Sequence, residues 1–482
     1  MRLDVADHRP EKFRKKGKSG AAAKDRCKIL LSGLAVRSFL VLICAVALAV
    51  AALPALAAGA EEKPALSPAQ ETELLQGPVD YDLAARVAIR QSPYFTKSSL
   101  EIEVKRMDET DSRYEMIPSI NFQTLYYVNK PEQVGLNKNT FSLRFVSEHY
   151  NPLVTYFGLQ ARKLFTKMAV YSHMTTIEEG LQKLGKVFLE LDCLKKVAAR
   201  QQDAIEVARQ HLTYAQNRLQ IGTGTTLELK VATQELEAAQ MDLDRLKYAQ
   251  KRFLGTLKAF IGLKSEQELT LSLTEAHQQL VGRFDPGAAT LEQTKNRSFE
   301  LKSMDVRKDL QKYNVLVAKA RLAPNFHFGV LNADPFSIVK SQNMFYYVGI
   351  SMPVWDGFKR WRNISRQKTI LKQQDNASSM KGMELEEKWD EIQENLRSAA
   401  AAKKAAQAQE ELARLRQRQS EIRYQSGGEP LTVYLEGRKV LLDAQKNTIM
   451  KARDYDLAVL GLRHFTGDLG ATYVDQSSWQ QQ

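Results

Sequence analysis

The chain has 482 residues, 44% of them apolar and 26% charged, proportions that exclude a disordered, collagen-like or disulfide-dense protein. Aromatic residues make up only 8%, and Ala, Gln, Leu, Lys and Glu dominate long stretches, so the chain reads as extended helix rather than a compact α/β enzyme. The formal charge of +13 is unevenly placed: residues 1–60 carry 11 Lys/Arg against 4 Asp/Glu, net +7, leaving +6 for the rest. A basic nucleic-acid-binding coiled coil would require that start to persist in the mature protein.

The start runs from Lys12 to Lys28, then through Arg37 into an apolar run from Phe39 to Leu53, Pro54 and the sequence Ala55-Leu56-Ala57-Ala58-Gly59-Ala60. A membrane anchor needs ~20 apolar residues, more than this run offers, and the A-x-A ending marks removal, so residues 1–57 read as a signal peptide. Cys44 follows the bulky Ile43, which disfavours lipid attachment. Removal takes Cys27 and Cys44 away and leaves Cys193 alone, so no internal disulfide is available. The later sequence holds no apolar run of ~18 residues, and any membrane insertion would be by strands.

After an N-terminal segment (58–80), the pattern predicts a first repeat over 81–264. It opens with a helix from Tyr81 to Tyr114 that ends near Pro118. A strand pair follows over 117–148: Ile120, Phe122, Thr124 and Tyr126 alternate with Asn121, Gln123 and Leu125, and Phe141, Leu143 and Phe145 alternate with Ser142 and Arg144. A long helical hairpin comes next, its first arm from Gln160 to Gln220 and its tip near Gly222.

A linker (265–288) leads to a second repeat over 289–469 with the same order. Its first helix covers Ala289 to Leu322. Its strand pair (324–354) alternates Phe326, Phe328 and Val330 with Asn325, His327 and Gly329, then Val348, Ile350 and Met352 with Tyr347, Gly349 and Ser351. The long hairpin begins with Arg366 to Gln425 and turns near Gly427, and residues 470–482 form a tail. At ~1.5 Å per residue each long arm is ~90 Å, which only a coiled coil or tube accommodates. The small side chains of Ala400 to Ala408 allow close helix approach.

Sliding the chain by 205 residues aligns 218–262 with 423–467 without a gap and finds nine identities, among them Arg218/Arg423, Gly222/Gly427, Phe260/Phe465 and Gly262/Gly467. The same offset sets Tyr150-Asn151-Pro152 against Trp355-Asp356-Gly357. An offset of 206 sets Ile117-Pro118-Ser119 against Ala323-Pro324-Asn325, and three landmarks in one order point to duplication.

Each strand has one apolar and one polar face, which fits a sheet over a soluble core or a barrel with lipid outside and water inside. Four strands cannot close a membrane barrel, so insertion demands oligomers; three copies give twelve strands, and a tetramer would also close. The segments Arg423-Tyr424-Gln425-Ser426-Gly427, Ala444-Gln445, Phe465-Thr466-Gly467 and Ile350-Ser351-Met352-Pro353-Val354-Trp355-Asp356-Gly357, with Arg218-Leu219-Gln220-Ile221-Gly222 and Ala239-Gln240 in the first half, resemble the TolC-type outer-membrane efflux proteins over about residues 80–470.

That resemblance implies a mainly α chain with membrane β structure. Two tandem repeats would each give a β-hairpin to a shared trimeric twelve-stranded outer-membrane barrel, and the long helices would form an α-helical periplasmic barrel. The implied function is a passive exit duct for efflux or type I secretion, in a Gram-negative outer membrane. Its implied partners are two further copies, outer-membrane lipid, a periplasmic adaptor and an inner-membrane transporter. The rival is a periplasmic coiled-coil adaptor or scaffold without a barrel.

Carried over residue by residue, the resemblance makes Ile221, Gly222, Thr223 and Gly224, with Ser426, Gly427 and Gly428, the hairpin tips that touch the adaptor. Glycine tolerates the reversed backbone a tip needs, so a turn alone also explains them. A constriction six and nine residues beyond each tip glycine would use Glu228 and Val231, then Val433 and Glu436, which leaves Glu228 and Glu436 as its carboxylates; a plain surface role serves Glu436 equally. Tyr126, Tyr127, Phe345, Tyr346 and Trp355 sit at strand ends, where rings favour the membrane interface or cap a soluble core. The seven histidines are scattered, and no Cys cluster or Ser, His and acid grouping stands out, so neither catalysis nor a metal or cofactor is expected.

Overall fold

The structure is a computed structural model that describes residues 77–126, 141–263, 267, 269–333, 345–352 and 354–473. The expected signal peptide, Tyr127 and most of the tail lie outside the described residues. Helices α1 (Tyr81–Gln91) and α2 (Pro93–Tyr114) lead into strands β1 (Ile120–Tyr126) and β2 (Phe141–Ser147), then into the long α3 (Pro152–Gln220) and the returning α4 (Thr226–Ile261). A short helix α5 (Leu273–His277) with a wide turn over 278–282 follows. The order then recurs as α6 (Leu291–Arg297), α7 (Phe299–Ala320), β3 (Asn325–Ala333), β4 (Phe345–Ser351), α8 (Lys359–Gln425) and α9 (Leu431–Phe465), and ends with α10 (Asp468–Tyr473).

Each expected opening helix is in fact two. At the first break the Ser92 hydroxyl accepts the Tyr94 N–H (3.4 Å) and Pro93 starts α2 at the position where a missing N–H costs nothing. At the second, Ser298 accepts the Leu301 N–H (3.3 Å) and starts α7. The long arms run further than the sequence pattern predicts: α3 has 69 residues and α8 has 67, so each is ~100 Å long at ~1.5 Å per residue. Asn151 caps α3 by accepting the Val154 N–H (3.1 Å), and Asp356 accepts the Arg360 N–H (3.2 Å) at the start of α8.

The buried positions of α3 explain its length. Met174, Ile177, Leu181, Leu184, Phe188 and Leu191 are all buried and follow one another at alternating steps of three and four, the a/d seam of a coiled coil. In α8 the buried Ile364, Leu385, Ala406 and Ala413 are separated by multiples of seven, so the same register is kept along the helix. Ala406 lets α9 approach closely enough for the Thr448 hydroxyl to donate to its carbonyl (3.2 Å). Near the tips, Val207 of α3 packs with Leu435 and Leu442 of α9, which binds the two hairpins together.

The stretch read as a linker is built into this body. Leu280 is wholly buried, and the Arg463 guanidinium donates to the Gln279 (2.6 Å) and Leu280 (3.1 Å) carbonyls. Val79 forms a parallel bridge with Leu271. Tyr473 near the chain end hydrogen-bonds Asp82 at its start. Among the described residues no helix is long and apolar enough to cross a membrane.

Candidate functional site

The four strands form one antiparallel sheet in the order β1-β2-β3-β4, so each half supplies a hairpin and β2 pairs with β3 across the halves. The register sets Phe122 beside Phe145 and Phe145 beside Val330; Val330 pairs with Tyr346, Phe328 with Val348 and Phe326 with Ile350. Strand side chains alternate between faces, so these residues share one apolar face and Asn121, Gln123, Arg144, His327 and Tyr347 share the polar one. No described element covers the apolar face: Ile120 is 64% exposed, Tyr346 76%, Val348 82% and Ile350 66%. On the polar face the His149 and His327 rings lie 5.4 Å apart, and His327 packs 6.0 Å from Tyr347. Tyr126 and Phe345 are strand termini. Trp355 lies beyond the far end of β4, exposed and edge-on to Phe358 (5.0 Å), with exposed Trp361 one turn on.

The base of the sheet is locked by residues from both halves. Tyr150 and Phe326 exchange N–H to carbonyl bonds (2.7 Å each). The Asn151 amide donates to the Ala320 and Ala323 carbonyls (3.3 Å each) and to Asn325 Oδ1 (3.2 Å).

At the other end of the helices, both tips reverse by the same backbone device. The N–H groups of Thr223 and Gly224 both donate to the Arg218 carbonyl (2.9 Å each), and that of Gly428 donates to the Arg423 carbonyl (2.8 Å). Gly222 has φ +76 and Gly427 φ +75, which any side chain would strain. A Cβ on Gly224 would stand 2.9 Å from the Leu219 nitrogen, so backbone approach also demands glycine there. Ile221, Gly222, Thr223, Ser426, Gly427 and Gly428 are exposed, and the apolar Ile221 and Leu227 project at 73% and 69% exposure.

Two charged residues brace the first tip. Glu228 is engaged in α4's own capping box: its N–H donates to Thr225 Oγ1 (3.1 Å) while its carboxylate accepts the Thr225 N–H (3.3 Å). Arg218, an identity between the repeats not assigned a role, donates to the Thr223 carbonyl (2.7 Å) and lies 3.6 Å from Glu228. At the second tip, Tyr424 stacks on Tyr434 (5.2 Å, 13°) across the turn. Glu436 is exposed on α9 and lines a groove of about 300 Å³ shared with α3 and α4. There burial raises the pKa of Glu235, but His211 (2.8 Å) and Lys439 (3.3 Å) outweigh it and hold the carboxyl below its usual range.

Midway along the helices, a cavity of about 280 Å³ is lined by Glu178 of α3, Lys381 of α8 and His464 of α9. Burial pushes Glu178 up to about 7 against the pull of Lys302, and its Oε1 finds no hydrogen-bond partner among the described residues. Burial, helped by Lys186, pushes His464 down to about 4. Neither group carried a sequence signal. The described residues contain no group of three His, Cys, Asp or Glu able to hold a metal ion.

No protein-family model and no curated protein sequence matches the chain. Solved structures do match. The CmeC outer-membrane channel of Campylobacter jejuni is 15% identical with a TM-score of 0.66, over 83% of this chain and 90% of that one. The outer-membrane protein VceC of Vibrio cholerae is 12% identical with a TM-score of 0.64, over 83% of this chain and 96% of that one. The open-state MtrE outer-membrane channel of Neisseria gonorrhoeae is 13% identical with a TM-score of 0.65, over 80% and 88%. The chain therefore has the TolC-like fold of outer-membrane channels, as its repeated motifs predict.

Proposed function

We propose that the protein is a passive exit duct of the outer membrane, assembled from three copies that each give four strands to a twelve-stranded barrel and two long hairpins to a helical tube in the periplasm. The observation that carries this reading is the uncovered apolar face of the sheet, set opposite a polar face and bounded by two open edges, β1 and β4. An open edge in lipid leaves backbone groups unpaired at several kcal/mol each, so the edges must meet another copy. A periplasmic adaptor or scaffold would need the hairpins but has no use for such a sheet.

Tyr346 at one end of β4 and Trp355 beyond the other fit the two aromatic girdles of a barrel, and the nine residues of β3 match the ~9–11 that span a bilayer. Exposed apolar side chains on α2 (Leu100, Val104, Met107) and α8 (Leu412, Leu415, Ile422) supply seams for neighbouring copies. The recurring order of elements, with tips 205 residues apart, supports descent from a duplicated repeat. The exposed tips, from Ile221 to Gly224 and from Ser426 to Gly428, are the surface for a periplasmic adaptor, which couples the duct to an inner-membrane transporter for efflux or type I secretion. With Glu228 held in its cap and Val433 apolar, Glu436 is the carboxylate left to narrow the passage. Transport energy comes from the partner.

Outer-membrane fractionation with mass determination in mild detergent tests the proposal. A heat-modifiable species of three chains in the outer-membrane fraction is expected. A soluble monomer overturns it.

A further inference from the structure

Below the sheet lies a cavity of about 1120 Å³, between the ends of α2 and α7 and the start of α8. Its charged lining is unbalanced. Arg321, Lys359, Arg360, Arg362 and Arg366 contribute five cations, against the carboxylates of Glu115, Glu148 and Asp356. Asp356 is taken up by Arg360 (3.5 Å), while Glu148 accepts from Asn121 (2.9 Å) and Glu115 from Ser112 (3.5 Å). Among the described residues, Arg321, Lys359, Arg362 and Arg366 have no carboxylate within ion-pair distance. All four are exposed, and what sets them apart is convergence on one solvent-filled space where cations outnumber carboxylates, an arrangement that attracts a mobile anion.

Which side of the sheet the cavity serves follows from register. Ser119, Glu148 and Asn325, which line it, share the alternation of Asn121, Arg144 and His327 on the polar face. Helix geometry agrees. At ~100° per residue, Lys359, Arg362 and Arg366 lie within a ~60° arc of α8, whereas the exposed Trp361 lies ~100–160° away from them. The cations therefore face away from the apolar surface.

We infer that this cavity is an anion-binding vestibule on the inner wall of the duct, at the junction of barrel and helical tube, and that it takes small solutes carrying phosphate or carboxylate groups. The placement on an inner wall rests on the proposed duct. Three copies would ring the passage with twelve unpaired cations, and the low-dielectric protein behind such a ring concentrates its field on whatever passes. The duct would then favour anionic cargo at this level, whatever its tips select.

The test is calorimetric titration of the full chain in neutral detergent with inorganic tripolyphosphate at low ionic strength, on samples whose mass is also measured. Saturable binding is expected, weakened about tenfold in R362Q/R366Q and unchanged in K368Q/K372Q, which removes equal charge from residues of the same helix that do not line the cavity. Absence of saturable binding by a trimer overturns the inference and leaves the duct reading standing; so does an equal loss in both double variants, which would mean diffuse attraction. A monomer overturns the duct reading itself and the inner-wall placement with it. A second arm repeats the titration in lipid nanodiscs. If phosphatidylglycerol displaces tripolyphosphate where phosphatidylcholine does not, the anionic group belongs to a lipid headgroup and the solute assignment falls.

Discussion

Glu178 offers a quantitative test of the packing between the two halves. Its carboxyl is buried beside α10, where Gly467 and Gly470 approach its Oε1, and burial raises it from an ordinary 4.5 to about 7. The folded state thus binds a proton more tightly than the unfolded state, and the stability this confers is complete below the unfolded value and lost as pH rises through about 7. A difference of about 2.5 units at ~1.4 kcal/mol each makes the charged form cost about 3 kcal/mol by pH ~8, and almost nothing near pH ~4. Glu178→Gln removes the titration while keeping the shape. Guanidinium unfolding in detergent, followed through Trp389, whose ring lies 6.4 Å from Phe465, should show the wild type losing about 3 kcal/mol relative to the variant between those two pH values. Parallel pH profiles for the two proteins would refute the reasoning.

His464 should behave with the opposite sign: its folded pKa of about 4 lies below the ordinary 6.5, so stability is complete above 6.5 and falls as pH drops toward 4, and His464→Gln should flatten that acid limb in the same assay. Gly222→Ala and Gly427→Ala should each cost ~1–2 kcal/mol of local tip stability through positive φ, seen as faster amide exchange confined to the tip concerned. Val348→Lys, on the uncovered face of the sheet, should cost ~2–4 kcal/mol in the bilayer and lower the yield of chain in the outer-membrane fraction, while Gln123→Lys on the polar face should be tolerated. Leu460→Ala, at a wholly buried position against Gly185, should destabilise by ~2–5 kcal/mol in a melt of the purified protein.

What the sequence made legible was what repeats or alternates. The strands declared themselves by period two, as in Phe326, Phe328 and Val330, and the tips by glycines at one spacing in each half. Other features depended on signals that were present and unused. Ser92 before Pro93 is a helix-start pair, so the break in the first helix could have been read; Thr225 three residues before Glu228 is the spacing of a capping box. The second break, at Ser298, carries no proline. Helix α5 and its wide turn left no trace, because five residues are too few for periodicity and the segment is fixed by Arg463, distant in sequence. The cations of the vestibule were invisible for a different reason. A run such as Lys359-Arg360-Trp361-Arg362 normally marks a solvated helix surface, and only the fold reveals that Arg321 joins it around a shared cavity with fewer carboxylates than cations.

The central claim is that β1 of one copy meets β4 of another and that the circuit closes at three. Disulfide trapping tests it directly, in a chain carrying Cys193→Ser, with single cysteines introduced pairwise on the open edges at Asn121 or Gln123 of β1 and at Tyr347 or Gly349 of β4. Oxidation in outer-membrane preparations, read on non-reducing gels, should give a ladder that stops at three chains for at least one pairing. Monomers alone for every pairing, or a ladder that stops at four or runs on without limit, would contradict the account.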